Sequence, residues 1–117
     1  MIILIVINEA PYGNEKSYNA LRLAMALQKE PLNTQVHVFL MADAVYCALA
    51  DQTTPQGYYN IERMVKSVIV KGGQVKACGT CANARGVANL QLVDGAEIST
   101  MAELAQWSVE ADKVFTF

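Results

Sequence analysis

The sequence has 117 residues and a formal net charge of -2, from 9 basic and 11 acidic side chains. Its length suits one domain, predicted over residues 1–117, and a hydrophobic fraction of 53% with 17% charged residues excludes intrinsic disorder. The charge balance is mildly acidic without a basic run, and every apolar run is short. Neither nucleic acid nor a membrane is therefore an expected partner.

The first half of the chain alternates apolar runs with amphipathic stretches. Residues 2–7 are apolar at every position, which predicts a parallel strand covered on both faces. The run lacks the basic start and the long apolar core of a signal peptide, so we expect a cytoplasmic protein. The segments predicted next are a turn over 8–14, a helix over 15–29 closed by Pro31, a strand over 35–41, a short helix over 42–50 and a loop over 52–57.

The second half continues the same alternation. Asn60 is placed to cap a helix that Gly72 and Gly73 end, and Thr100 with Glu103 has the spacing of a capping box. The segments predicted there are a strand over 74–77, a helix over 81–85, a strand over 94–99, a helix to about 109 and a strand over 113–117. Strands alternating with helices predict a flavodoxin-like three-layer α/β/α sandwich with a mainly parallel five-stranded sheet.

The three cysteines are an odd number, which argues against a structural disulfide framework in a reducing compartment. Cys47 has the pattern of a small buried hydrophobic residue. Cys78 and Cys81 differ from it, because Cys78 is predicted at the carboxyl end of a strand and directly before a helix. Ligands bind at that edge of open α/β sheets, and the N–H groups of a helix start favour the reactive thiolate.

The residues around this cysteine pair supply positive charge and allow the backbone to approach closely. Lys76 lies on the same sheet face as Cys78 if the strand continues to it, and Arg85 shares a helix face with Cys81. An arginine there suits an anionic sulfur species, and Gly79 permits a close approach of the backbone. The two cysteines are therefore the candidate catalytic residues, with Lys76 and Arg85 beside them.

Other candidates follow the first two strands. Asn8, Tyr12 and Asp43 are expected to line the site, although Asp43 equally suits the N-cap of the next helix. His37 is interpreted as a packed histidine rather than a base. A single CxxC supplies two metal ligands where a structural zinc site needs four, and no Gly-rich phosphate loop follows the first strand. The sequence therefore predicts no metal and no cofactor.

Four motifs, in order and over nearly the whole chain, resemble the DsrE/DsrF-like sulfur-relay family and, within it, the small YchN-type members. The matching segments are Asn8–Gly13, Phe39–Val45, Val75–Cys81 with Ala84–Gly86, and Ala102–Trp107 before Asp112–Val114. The resemblance implies a parallel α/β sandwich assembled as a homohexamer, a dimer of trimers. It also implies that Cys78 carries sulfane sulfur as a persulfide, whereas Cys81 matches the YchN-type pattern and has no counterpart in the sulfur-relay relatives.

The function predicted on this basis is intracellular sulfur transfer between donor and acceptor proteins. One alternative is a thiol–disulfide oxidoreductase that uses Cys78 and Cys81. A second alternative is a non-catalytic hexameric binding protein whose cysteines only pack.

Overall fold

The apolar start of the chain forms a central strand of a five-stranded parallel sheet in the computed structural model, which describes residues 1–117. Leu4, Ile5 and Ile7 in this strand are fully buried, as expected for a parallel strand covered on both faces. The strands are β1 (Ile2–Ile7), β2 (Gln35–Leu40), β3 (Gln74–Cys78), β4 (Glu97–Ser99) and β5 (Lys113–Thr116). Their order across the sheet is β4-β3-β2-β1-β5, with every neighbouring pair parallel.

Two of the helices begin at the residues that the sequence predicts as their caps. The side chain of Asn60 accepts the N–H of Arg63, and the side chain of Thr100 accepts the N–H of Glu103, so both predicted N-caps are confirmed. Gly72 follows the second helix with φ +94°, a conformation that favours glycine. The helices are α1 (Lys16–Leu27), a 3-10 helix (Ala42–Ala48), α2 (Ile61–Val70), α3 (Gly79–Ala84) and α4 (Met101–Glu110).

The helices cover the sheet on its two faces, which confirms the three-layer α/β sandwich. In β2, His37 and Phe39 point toward α4, where both rings contact Trp107. The alternate residues of β2 point to the other face, where α1 and α2 pack together and Gln28 Nε2 donates to the carbonyl of Val68 at 2.9 Å. α4 lies alone on its face because it returns from β4 at one edge to β5 at the other, and a right-handed connection in that direction crosses the opposite face.

Several predicted boundaries differ from the structure by a few residues, and three of the differences have local reasons. β4 begins at Glu97 rather than at 94, because the preceding segment turns at Gly95, which has φ +92°. The segment after β2 is a 3-10 helix over Ala42–Ala48 rather than an ordinary helix to residue 50. α3 begins at Gly79 rather than at 81, because the side chain of Cys78 is its cap. The carboxyl end of β3 thus passes into a helix without a loop.

The order of the strands in the sheet cannot be predicted from the spacing of apolar residues along the chain. β5 flanks β1, so the last strand occupies the position that the second strand has in the flavodoxin order. None of the helices combines the length and the apolar character needed to cross a bilayer.

Candidate active site at the carboxyl end of the third strand

Cys78 is the last residue of β3 and the N-cap of α3, as the sequence predicts in outline. Its Sγ atom accepts the backbone N–H of Cys81 at 3.4 Å, which brings the two cysteine residues into direct contact. The two thiols differ in exposure, since Cys78 is 4% exposed and Cys81 is only partly buried. Both are free thiols. The site therefore has one thiol inside the fold and one near its surface.

Gly79 lets the strand β4 approach the cysteines closely. Cys78 pairs with Ser99 in the parallel register of β3 and β4. A Cβ atom at position 79 would lie 3.0 Å from the carbonyl oxygen of Ser99 and 3.2 Å from Cγ2 of Ile98. A larger residue would push β4 away from the carboxyl end of β3. The predicted close approach at Gly79 is confirmed, and the partner is β4.

Arg85 and Asp43 lie together beside Cys81. Arg85 Nε donates to Asp43 Oδ1 at 2.9 Å, and Arg85 Nη1 donates to the carbonyl oxygen of Cys81 at 3.2 Å. The hydrogen bond to Asp43 raises the pKa of Arg85. Asp43 is not the cap of the 3-10 helix, since Met41 is in that position. Of the candidates outside the cysteine pair, these two are the ones that the fold brings to it.

Lys76 is bound to α4. Its Nζ atom donates to Glu103 Oε1 at 2.7 Å and lies 5.2 Å from the ring centroid of Trp107. Ser99 Oγ also donates to Glu103, and the two hydrogen bonds, that of Lys76 first, lower the pKa of the Glu103 carboxyl. The positive charge of Lys76 therefore has its own counterion.

Glu103 is the residue near the site that sequence reasoning did not identify. Its spacing from Thr100 suggested a capping box, and Thr100 does cap the helix, but the carboxylate of Glu103 binds Lys76 and Ser99 instead. No sequence signal could have found these contacts, because they depend on β4 pairing with β3 and on α4 crossing the sheet.

Asn8 and Tyr12 follow β1, which is separated from β3 by the whole of β2. At the usual strand spacing that separation is about 10 Å. Asn8 Nδ2 donates to the carbonyl oxygen of Phe117 at 3.4 Å. The Tyr12 hydroxyl donates to Gln52 Oε1 at 2.6 Å and accepts the N–H of Ile61 at 3.1 Å. Both residues lie at the carboxyl edge of the sheet, as Cys78 does, but their side chains are hydrogen-bonded there to other segments.

Cys47 and His37 have the packing roles that the sequence predicts. Cys47 is fully buried, and burial raises the pKa of its thiol to about 12. His37 is 4% exposed and packs against Trp107 in a tilted arrangement, with ring centroids 4.5 Å apart. No group of three or more His, Cys, Asp or Glu side chains is close enough to hold a metal ion.

Two surface depressions lie away from the cysteines. One, of about 370 Å³, is lined by Arg22, Met25, Ala26, Lys29 and Lys71, between α1 and the end of α2. The other, of about 390 Å³, is lined by polar side chains of residues 51–66. The thiol site is a separate feature from both of them.

Comparison with known proteins gives consistent matches over the whole chain. The model of the DsrE/DsrF-like family matches residues 1–117. The chain is 48% identical to protein YchN of Escherichia coli K12, over 98% of this chain and 97% of YchN. An uncharacterized protein of Methanocaldococcus jannaschii is 38% identical over the full length of both chains.

Solved structures give the same result for the fold. The crystal structure of the Escherichia coli YchN protein superposes with a TM-score of 0.93, over 98% of this chain and 97% of that one. A protein of unknown function from Methanobacterium thermoautotrophicum, 12% identical, superposes with a TM-score of 0.77 over 99% of this chain and 97% of its own. The second likeness concerns the fold alone.

Proposed function

Because the chain belongs to the DsrE/DsrF-like family, we propose that it is a sulfur-transfer protein that holds sulfane sulfur as a persulfide on Cys78. The observation that carries the proposal is the hydrogen bond from the Cys81 N–H to Cys78 Sγ at the carboxyl end of β3. A backbone N–H directed at a thiolate sulfur stabilises the thiolate, which is the form of a cysteine that accepts sulfur. The burial of Cys78 keeps a bound persulfide away from solvent reductants.

The transfer is a sulfur exchange without net oxidation. The Cys78 thiolate forms a bond to the outer sulfur of a donor persulfide, and the sulfur–sulfur bond of the donor breaks. The donor leaves as a thiolate that takes the persulfide proton. The same exchange in reverse releases the sulfur from Cys78 to the thiolate of an acceptor protein. No further oxidant or reductant is needed.

Arg85 is proposed to supply the positive charge of the site. Asp43 and the carbonyl of Cys81 hold the guanidinium in place next to the cysteine pair. An arginine keeps its charge at every physiological pH, so it attracts the anionic donor without titrating. The charge of Lys76 is already balanced by Glu103, so Lys76 adds less to the positive charge of the site than Arg85 does. A site role for Asn8 and Tyr12 stays a prediction.

The proposed partners are donor and acceptor proteins that present a persulfide or a thiol, in the cytoplasm. Three free cysteines suit such a reducing compartment. The proposed assembly is a homohexamer, a dimer of trimers.

A direct test is mass spectrometry of the native protein after incubation with glutathione persulfide. We expect a mass gain of about 32 Da, one sulfur atom, that dithiothreitol removes. Peptide mapping after alkylation should locate the added sulfur on Cys78 at equilibrium. The Cys47→Ala variant is the matched control, and it should gain the same adduct because Cys47 is fully buried. A native protein that never carries labile sulfur on Cys78 would refute the proposal.

A thiol–disulfide oxidoreductase is the second candidate, favoured by the position of Cys78 as cap and Cys81 in the first turn of the same helix. Redox titration in glutathione buffers, with the free thiols counted by alkylation, separates the two functions. An intramolecular Cys78–Cys81 disulfide at a defined potential favours the oxidoreductase, and its absence removes it. Equal thiol reactivity in native and unfolded protein would favour the non-catalytic alternative.

A further inference from the structure

The two cysteines of the site are unequal in access. Cys78 belongs to the buried core cluster with 4% of its surface exposed, whereas Cys81 lies against that cluster and stays partly open to solvent. Sulfur exchange requires the attacking sulfur to reach the outer sulfur of the donor, and its rate depends on that access. A donor carried by another molecule therefore meets Cys81 before Cys78.

The positive charge at the surface of the site is next to Cys81 as well. Arg85 Nη1 binds the carbonyl of Cys81 at 3.2 Å, and its side chain is 27% exposed. A persulfide near neutral pH exchanges between its anion and its protonated form, so this guanidinium attracts the anion to the residue that it already contacts, where the protonated form gives up its outer sulfur. The third thiol does not compete, because Cys47 is fully buried.

The short distance between the two residues allows the sulfur to move on. The backbone nitrogen of Cys81 lies 3.4 Å from Cys78 Sγ, so the buried sulfur is already against the residue that bears the outer thiol. Cys78 is the cap of α3 and Cys81 the third residue of that helix, so the two side chains start from neighbouring positions of one turn.

We propose that sulfane sulfur enters at Cys81 and passes from there to Cys78, an inference that rests on the proposed function. In the first step the Cys81 thiolate bonds to the outer sulfur of the donor persulfide, whose sulfur–sulfur bond breaks, and the donor leaves as a thiol with the persulfide proton. In the second step Cys78 bonds to that same sulfur, the new bond at Cys81 breaks, and Cys81 leaves as a thiolate that takes the proton from Cys78. Sulfur moves twice and nothing is oxidised or reduced overall.

The test compares the loading rates of Cys81→Ser, Cys78→Ser and Cys47→Ala with that of the native protein, using glutathione persulfide as the probe. The Cys81→Ser variant keeps the backbone N–H that binds Cys78 Sγ, so it removes the outer thiol and leaves this hydrogen bond in place. We expect sulfur to reach Cys78 of the Cys81→Ser variant at about one tenth of the native rate or more slowly still, because access limits the exchange. Cys78→Ser should still gain sulfur on Cys81, and Cys47→Ala should behave as the native protein.

The outcomes separate the inference from the proposed function. If Cys81→Ser loads Cys78 at the native rate, or if Cys78→Ser gains no sulfur on Cys81, the entry role of Cys81 is wrong while storage on Cys78 stands. If no form of the protein gains labile sulfur, the proposed function itself fails. Thermal unfolding of each variant, with Cys81→Ala as a second substitution, shows that a slow rate does not come from a damaged fold.

Discussion

The carboxyl end of β3 shows how much one residue can depend on its neighbours. Cys78 ends a strand, caps a helix and is covered by the approach of β4 past Gly79. The spacing of the two cysteines is enough to place them at a helix start. Which of the thiols is exposed depends on β4, and local sequence does not contain that information.

The backbone of the neighbouring turn holds a strained residue. Ala42 is the first residue of the 3-10 helix after β2 and has φ +50°, a left-handed conformation that costs a residue with a Cβ atom about 1–2 kcal/mol. Ala42→Gly should relieve that strain and stabilise the fold by about 0.5–1 kcal/mol, after the entropy that glycine adds to the unfolded chain. Urea unfolding at equilibrium measures the change.

A control for this prediction is Ala105→Gly, at an exposed position inside α4. Glycine should destabilise the fold there by about 1 kcal/mol, since the helix needs no left-handed residue. Equal losses of stability in both variants would show that Ala42 is not strained.

At the scale of elements, α4 holds one face of the sheet almost alone. Trp107 is its buried anchor and contacts His37 and Phe39, while Glu103 binds Lys76 across the same face. Each of these contacts joins residues far apart in sequence. They explain why a helix with mostly exposed residues is fixed in place.

The stability of this contact should depend on pH through His37. Burial lowers the pKa of His37 below its ordinary value of 6.5, with Glu110 opposing the effect and Lys76 adding to it. Below pH 6.5 the unfolded chain binds a proton that the folded protein does not, so stability should fall as the pH decreases from there. Urea unfolding between pH 7 and 5, followed by the fluorescence of Trp107, the sole tryptophan, measures this effect.

The matched variant is His37→Gln, which removes the titrating ring. Its stability should change little over the same pH range. Glu103 affects the stability at lower pH than His37 does. Its pKa is below its ordinary value of 4.5, so its stabilising effect is lost as the pH falls through that lowered pKa. Parallel pH profiles for the native protein and His37→Gln would contradict the assignment to His37.

At the scale of the whole molecule, apolar side chains remain exposed on the side of α4 and β5. β5 is also an edge strand, with unpaired backbone groups on its outer side. A second copy of the chain is the occupant that the proposed homohexamer would place there. The exposed residues are Met101 at 58%, Val109 at 87%, Val114 at 48% and Phe115 at 39%.

Val109→Glu tests that arrangement, because a side chain that is 87% exposed contributes little to the stability of a single chain. A charge buried without a partner between two copies should weaken self-association by about tenfold or more. Light scattering after size exclusion measures the mass of each assembly. Val70→Glu, 76% exposed on α2, is the control expected to keep the native mass. An unchanged mass for Val109→Glu would exclude Val109 from the interface.

The sequence alone determined the elements and singled out the candidate cysteine pair. Apolar runs such as Ile2–Ile7, the caps Asn60 and Thr100, and the position of Cys78 at a strand end are local features, because hydrogen bonding and side-chain periodicity act over a few residues. Helix and strand types followed from them correctly, with errors of a few residues at boundaries such as that of β4.

The tertiary structure decided what depends on distant segments. Strand order, the pairing of Lys76 with Glu103 and that of Asp43 with Arg85 all join residues that are separated by dozens of positions. The same holds for the two cysteines of the candidate site. Their spacing is written in the sequence, but their difference in exposure arises only in the folded chain, where β4 pairs with β3 at Cys78, because burial depends on every element that packs against a residue.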